Sequence, residues 1–127
     1  MYTVKIRDHI MVAHSLAHPG FGIASKLHGV TYVIDTTFMS ETLNEMNVVI
    51  DIAVASDILK KIVEKLNYKN LDDVEDLKGQ ITTTEFMARY IHQQIALDPG
   101  MDFKGNLKVE LGESHIAWAS YEGKVGF

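Results

Sequence analysis

An α+β fold, a four-stranded antiparallel sheet with two helices on one face, is predicted by three observations on this 127-residue chain. Strand-like segments gather at the two ends and helix-like segments in the middle, in the order β-β-α-α-β-β. Strands kept apart from helices, rather than alternating with them, indicate an antiparallel sheet with the helices on one side. A hydrophobic fraction of 46% in a chain of this length suits one core, so a single domain over residues 1–127 is expected.

Tyr2 to Ala13 is rich in β-branched and apolar residues, and Val4 and Ile6 alternate with Lys5 and Arg7, which predicts the first strand. Ala17 to Ser25 contains Pro19, Gly20 and Gly22 and reads as a loop. Val30 to Phe38 carries Thr31, Tyr32, Val33, Ile34, Thr36 and Thr37, all suited to extended backbone. Ser40 to Asn47 is polar and reads as a turn, with Val48-Val49-Ile50 closing a hairpin behind it. Asp51 is placed to cap a helix whose apolar stripe is Ile52, Ala55, Ile58, Leu59, Ile62, Val63 and Leu66. Asn67 to Gln80 is a charged loop. Thr82 and Glu85 have the spacing of a capping box before a second helix carrying Phe86, Met87, Tyr90, Ile91, Gln94 and Ile95, which Pro99 and Gly100 stop. Leu107 to Leu111 and Ile116 to Tyr121 are expected to pair as a hairpin through Gly112 to His115, with Trp118 and Tyr121 packing on the helices. Such a sheet has open edges that must be covered or paired. Closing a ring of subunits, their sheets joined into a barrel, would do so.

Composition narrows the function. A net charge of −5 offers no basic patch for nucleic acid. The absence of cysteine excludes a disulfide framework, a thiolate metal site and a cysteine nucleophile. No apolar run approaches the roughly 20 residues of a membrane helix, and no basic segment leads into an apolar one as in a signal peptide. A cytoplasmic location is therefore expected, with neither nucleic acid nor membrane as partner.

Five separated segments carry a more specific signal: His14; Leu27-His28-Gly29-Val30-Thr31-Tyr32; Leu66-Asn67-Tyr68-Lys69-Asn70-Leu71-Asp72; Ile81-Thr82-Thr83-Thr84-Glu85; and Glu113-Ser114 leading into Trp118-Ala119-Ser120-Tyr121. In this order, from His14 to Glu122, the chain resembles the 6-pyruvoyl-tetrahydropterin synthase family, which includes the 6-carboxytetrahydropterin synthases. The resemblance implies the T-fold of that family, with subunits joined into barrels and a hexamer built as a dimer of trimers.

It also implies a binding site. Glu113 matches the glutamate that holds the 2-amino and ring N–H groups of a pterin, a task for a carboxylate because it accepts two parallel N–H bonds. Thr83, Thr84 and Glu85 match a second pterin-contacting segment. A capping box alone would also explain Glu85, and a surface turn would explain an isolated Glu113. The family's zinc ligands are a histidine after the first strand and an H-x-H pair on the second. His14 and His28 match two of them, but Val30 stands at the third and points the same way as His28. Catalytic zinc usually has three protein ligands. His115 and His9 are the histidines left to complete a set, and nothing in their spacing selects either. The favoured reading makes His14 and His28 vestigial, hydrogen-bonded pocket residues.

The resemblance departs from the family at the catalytic positions too. Ala24 matches the family's cysteine, in the short loop Phe21 to Lys26, and Asn67 and Tyr68 match its proton-relaying Asp-His pair. Asparagine does not titrate, and a tyrosine of pKa about 10 is a poor base near neutrality. The expected function is thus binding of a pterin or purine-like heterocycle without the zinc-dependent synthase reaction and with no cofactor, zinc being the one exception the family offers. A second reading is a metal-independent lyase or aldolase acting on a pterin side chain, with Tyr68, Lys69 and His115 as acid–base groups. A third is a zinc lyase with a replacement ligand, and a fourth is a barrel with only a scaffold role.

Overall fold

The computed structural model describes residues 1–127. Four strands, β1 (Tyr2–His14), β2 (His28–Ser40), β3 (Gly105–Ser114) and β4 (Ala117–Val125), form one antiparallel sheet in sequence order. Two helices, α1 (Ile52–Leu66) and α2 (Thr84–Ala96), cross from β2 to β3 and pack on the same face.

Strand alternation builds the core. Ile10 and Val12 of β1, Tyr32, Ile34 and Phe38 of β2, and Leu107, Val109 and Leu111 of β3 point at the helices and are buried. They meet Ala55, Ile58, Leu59, Ile62, Val63 and Leu66 of α1 and Met87, Ala88, Ile91 and Ile95 of α2. Ile52, counted in the α1 stripe from spacing, is instead exposed, because it occupies the first turn beyond the edge of the sheet-facing stripe. Asp51 caps α1 through Oδ1, which accepts from the N–H groups of Ala53 and Val54. Such a cap contributes about 1 kcal/mol.

Three further expectations need correction. Val48-Val49-Ile50 is not a strand. Over residues 33–39, β2 is paired with β1 on one side and β3 on the other, so neither edge is left for a returning strand. The segment turns instead at Asn47, which has φ 64°, and the Asn44 side chain accepts from the N–H groups of Met46 and Val48. The α2 cap lies one residue later than the Thr82–Glu85 spacing suggests. Thr83 accepts from the N–H of Phe86 at 3.1 Å. Glu85 therefore sits at the second helical position, free of the cap, where its charge complements the helix dipole. Finally, Trp118 does not pack on the helices. It shares its face of β4 with Ser120 and Glu122 and lies against Gly112 on the opposite side of the sheet. Tyr121 does face α2, its ring edge-on to His92 with centroids 4.9 Å apart.

The face away from the helices is open and mixed in charge. Arg7 and Asp35 stand directly opposite one another there, and the guanidinium donates to both carboxylate oxygens at 2.7 and 2.9 Å. At the edges, residues 67–70 run beside the end of β1: Tyr68 N–H donates to Met11 O, Ala13 N–H to Lys69 O, and Met11 N–H to Asn67 Oδ1. The earlier part of β1 and the outer edge of β4 carry no strand partner. No helix is long and apolar enough to cross a membrane.

Candidate functional site

The site is assembled where β1 ends, β2 begins and α2 starts. His14 and His28 are directly paired in the last register position of β1 and β2. Alternation turns both toward the helix side, and their rings meet edge-on with centroids 4.7 Å apart. His14 is buried and its Nδ1 shares a hydrogen bond with Thr82 Oγ1 at 3.0 Å. His28 Nδ1 lies 2.8 Å from the carbonyl oxygen of Lys26. A carbonyl only accepts, so Nδ1 of His28 carries the proton and Nε2 is left bare when the ring is neutral. Burial, followed by the nearby His28, pushes the His14 pKa below its usual value, so this imidazole is neutral at pH 7. Just beyond His14, Ser15 donates from N–H and Oγ to the Asp72 carboxylate, which holds the end of β1 to the 67–80 loop.

A cleft of about 550 Å³ opens here, lined by His14, His28, Val30, Thr83, Thr84, Glu85 and Glu113, with Tyr32 at its buried side. Leu16, from the segment after β1, and Phe21 and Ala24, from the short helical turns that follow it, complete its wall. The four residues expected to hold a heterocycle thus converge from the start of α2 and the end of β3, and Thr84 Oγ1 donates to Glu113 Oε2, 29 residues away, at 3.4 Å. Glu113 is also close enough to His14 for its charge to favour the protonated ring, although burial outweighs this. Burial raises the pKa of Tyr32, a hydrogen bond with Thr84 lowers it, and the charges of Glu113 and Glu85 raise it again. Tyr32 therefore stays protonated and polar beneath two carboxylates. Its position two residues past Val30, on the same face of β2, was the sequence signal for it.

The other expected residues lie elsewhere in the chain. Tyr68 has φ 61° and an exposed side chain, and with Lys69 it borders a separate depression beside Met11, Ala13, Gly29 and Thr31. His115 is exposed in the turn between β3 and β4. His9 sits on the open face of β1 next to Asp8.

For a resident zinc the donor set falls short. His14 and His28 can each offer Nε2, but Val30 holds the place beside them, and no three His, Asp or Glu side chains are grouped as a metal site would require. Neither His115 nor His9 lines the cleft. Two imidazoles beside an apolar side chain do not fit the usual catalytic zinc.

Comparison with known proteins agrees with this architecture. The family model described as "6-pyruvoyl tetrahydropterin synthase" matches residues 3–124. The chain is 34% identical over 77 residues to a 6-pyruvoyl tetrahydrobiopterin synthase of Dictyostelium discoideum, a match covering 59% of this chain and 57% of that protein. It is 28% identical over 126 residues to the 6-carboxy-5,6,7,8-tetrahydropterin synthase of Bacillus subtilis, covering 93% and 83%. Among solved structures, the Caenorhabditis elegans 6-pyruvoyl tetrahydropterin synthase superposes with a TM-score of 0.82 at 23% identity, covering 96% of this chain and 95% of that one. The Plasmodium falciparum enzyme gives 0.78 at 18% identity, covering 98% of each. At these identities the structural likeness speaks for the fold.

Proposed function

We propose, from the premise that the chain belongs to the 6-pyruvoyl tetrahydropterin synthase family, that it binds a pterin or similar purine-like heterocycle and does not carry out the zinc-dependent synthase reaction. The observation that carries this reading is the convergence of Glu113, Thr83, Thr84 and Glu85 on one cleft. A carboxylate at a cleft wall suits a ring edge that presents two N–H groups side by side. The Thr84 hydroxyl occupies part of one carboxylate oxygen and leaves the remaining lone pairs for the ligand. Val30, Leu16 and Phe21 supply apolar surface for a flat ring.

Proton transfer is where the chain departs from the synthases. Ala24 lines the cleft where a cysteine would be needed, and alanine has no ionisable group. Asn67 spends its side-chain oxygen on the Met11 N–H, while Tyr68 and His115 stand outside the cleft of their own chain. What lines the cleft supports binding more than turnover. We propose further that the protein is cytoplasmic and assembles as a hexamer of two trimers.

The test is calorimetric titration of the assembled protein with neopterin. Glu113→Gln keeps the side-chain shape but presents an N–H where an acceptor is needed. Hydrogen bonds to charged groups contribute about 1.5–3 kcal/mol each, so losing the pair should raise Kd at least about tenfold. Absence of neopterin binding in the wild type, or an unchanged Kd in Glu113→Gln, overturns the reading. Incubation with dihydroneopterin triphosphate should yield neither the 6-pyruvoyl nor the 6-carboxy product by chromatography.

A further inference from the structure

Glu113 is not an ordinary ladder residue. Gly112 opposes Trp118, but Ser114 opposes Ala117, so Glu113 is the extra residue of a β-bulge between β3 and β4. A bulge bends its strand and re-aims the side chain at that point, so whatever fixes the bulge fixes the direction of Glu113.

The indole of Trp118 lies against Gly112 immediately before the bulge. A Cβ on Gly112 would come within 2.6 Å of Cζ3 and 2.7 Å of Cε3 and Cη2, all atoms of the six-membered ring. With the ring in this position, any side chain at residue 112 forces the ring or the backbone to shift. Gly112 needs no unusual φ here, so space and not conformation demands the glycine. It is buried beneath the ring, while Trp118 remains 42% exposed and takes no part in the core. On the far side of the bulge, Ile116 N–H donates to Ser114 Oγ at 3.3 Å and closes the turn. Glu113 itself meets α2 through Thr84. The bulge is thus gripped from the open face of the sheet by Trp118, and the carboxylate is met on the helix face by Thr84.

We propose that Trp118 and Gly112 are positioning residues: their contact across β3 and β4 sets the bulge that aims the Glu113 carboxylate into the cleft. They act through Glu113 and line no part of the cleft. The binding consequence rests on the proposed function, in which Glu113 is the ligand's acceptor; the aiming of the carboxylate does not.

The experiment compares Gly112→Ala, Trp118→Ala and the double variant in the intact assembly, by neopterin calorimetry and by crystal structures of the variants. Gly112→Ala drives the ring and backbone apart and should raise the neopterin Kd roughly tenfold, because a re-aimed carboxylate loses part of its charge-assisted bonding to the ligand. Trp118→Ala should raise it several-fold. The double variant should bind like Trp118→Ala alone, because the new methyl then meets no ring, and such non-additivity is the signature of a direct contact. In the Gly112→Ala crystal structure the Glu113 carboxylate should have left Thr84. A cost of Gly112→Ala that persists undiminished without the indole overturns the proposal, as does a carboxylate that stays in place. If Gly112→Ala does not fold, Trp118→Ala decides: an unchanged carboxylate position overturns the proposal, and so does dissociation of the oligomer, which would make Trp118 an interface residue. Should the wild type fail to bind neopterin, the ligand reading falls and the crystallographic comparison still decides the positioning role.

Discussion

Thr84, the first residue of α2, holds its hydroxyl 3.4 Å from Oε2 of Glu113, the bulged residue of β3. The contact joins the helix start to the sheet at the carboxylate that the proposed function makes the ligand's acceptor. Thr84→Val keeps the branched shape and removes the donor. The expected result is a rise in neopterin Kd of roughly threefold to tenfold, the range for one ordinary hydrogen bond of about 0.5–1.5 kcal/mol, because the 3.4 Å contact is long, with the assembly intact. An unchanged Kd by calorimetry would show that Glu113 is held without Thr84.

The metal prediction turns on Val30. It shares a strand face with His28 and lines the cleft beside His14. Protein purified without added metal should carry less than one zinc per chain by elemental analysis. Val30→His should raise zinc affinity, because it places a third imidazole beside two whose Nδ1 atoms are already engaged by Thr82 and Lys26. One tightly held zinc per wild-type chain contradicts this prediction.

Assembly follows from the edges. The outer edge of β4 is open, whereas residues 67–70 cover the end of β1 and leave only its earlier part free. A neighbouring subunit that pairs these edges would remove both hazards. Light scattering should give a hexamer, with a trimer as the smaller species. A monomer at micromolar concentration sinks the prediction.

The Arg7–Asp35 pair makes stability depend on pH in a defined direction. Asp35 is almost wholly buried on the open face, and the hydrogen bonds from Arg7 hold its carboxyl below the usual value of 3.8. A depressed folded pKa means that the stabilisation is present above the unfolded value and is lost as pH falls through the folded one. Arg7→Met leaves Asp35 buried with only Lys5, 3.8 Å away. The Tm gap between wild type and variant should be widest near about pH 7 and shrink below about pH 4, as the carboxyl takes up a proton. A gap that does not change over this range rules out the ion pair as its source.

How much was legible differs between fold and site. The order of elements, the α1 stripe from Ala55 to Leu66 and the Asp51 cap were readable because each depends on residues within a few positions of one another. The end of β2 was not. Val48 to Ile50 has strand-like composition, and only the pairing of β2 on both edges forbids it to be one. The α2 cap shows the same limit on a smaller scale. Local spacing favours Thr82, through Glu85, yet Thr83 caps the helix while the Thr82 hydroxyl is engaged by His14, 68 residues away.

By itself the sequence determined the α+β class and the common strand face of His28 and Val30, since these follow from residue type and short-range periodicity. Tertiary structure alone decided that Glu113 is a bulged residue, that Trp118 leaves the helix face to lie on Gly112, and that Tyr68 and His115 stand apart from the cleft. The physical reason is that register and bulge placement depend on the pairing of two strands, and cleft membership depends on which elements converge. Neither is encoded in the spacing of a single segment.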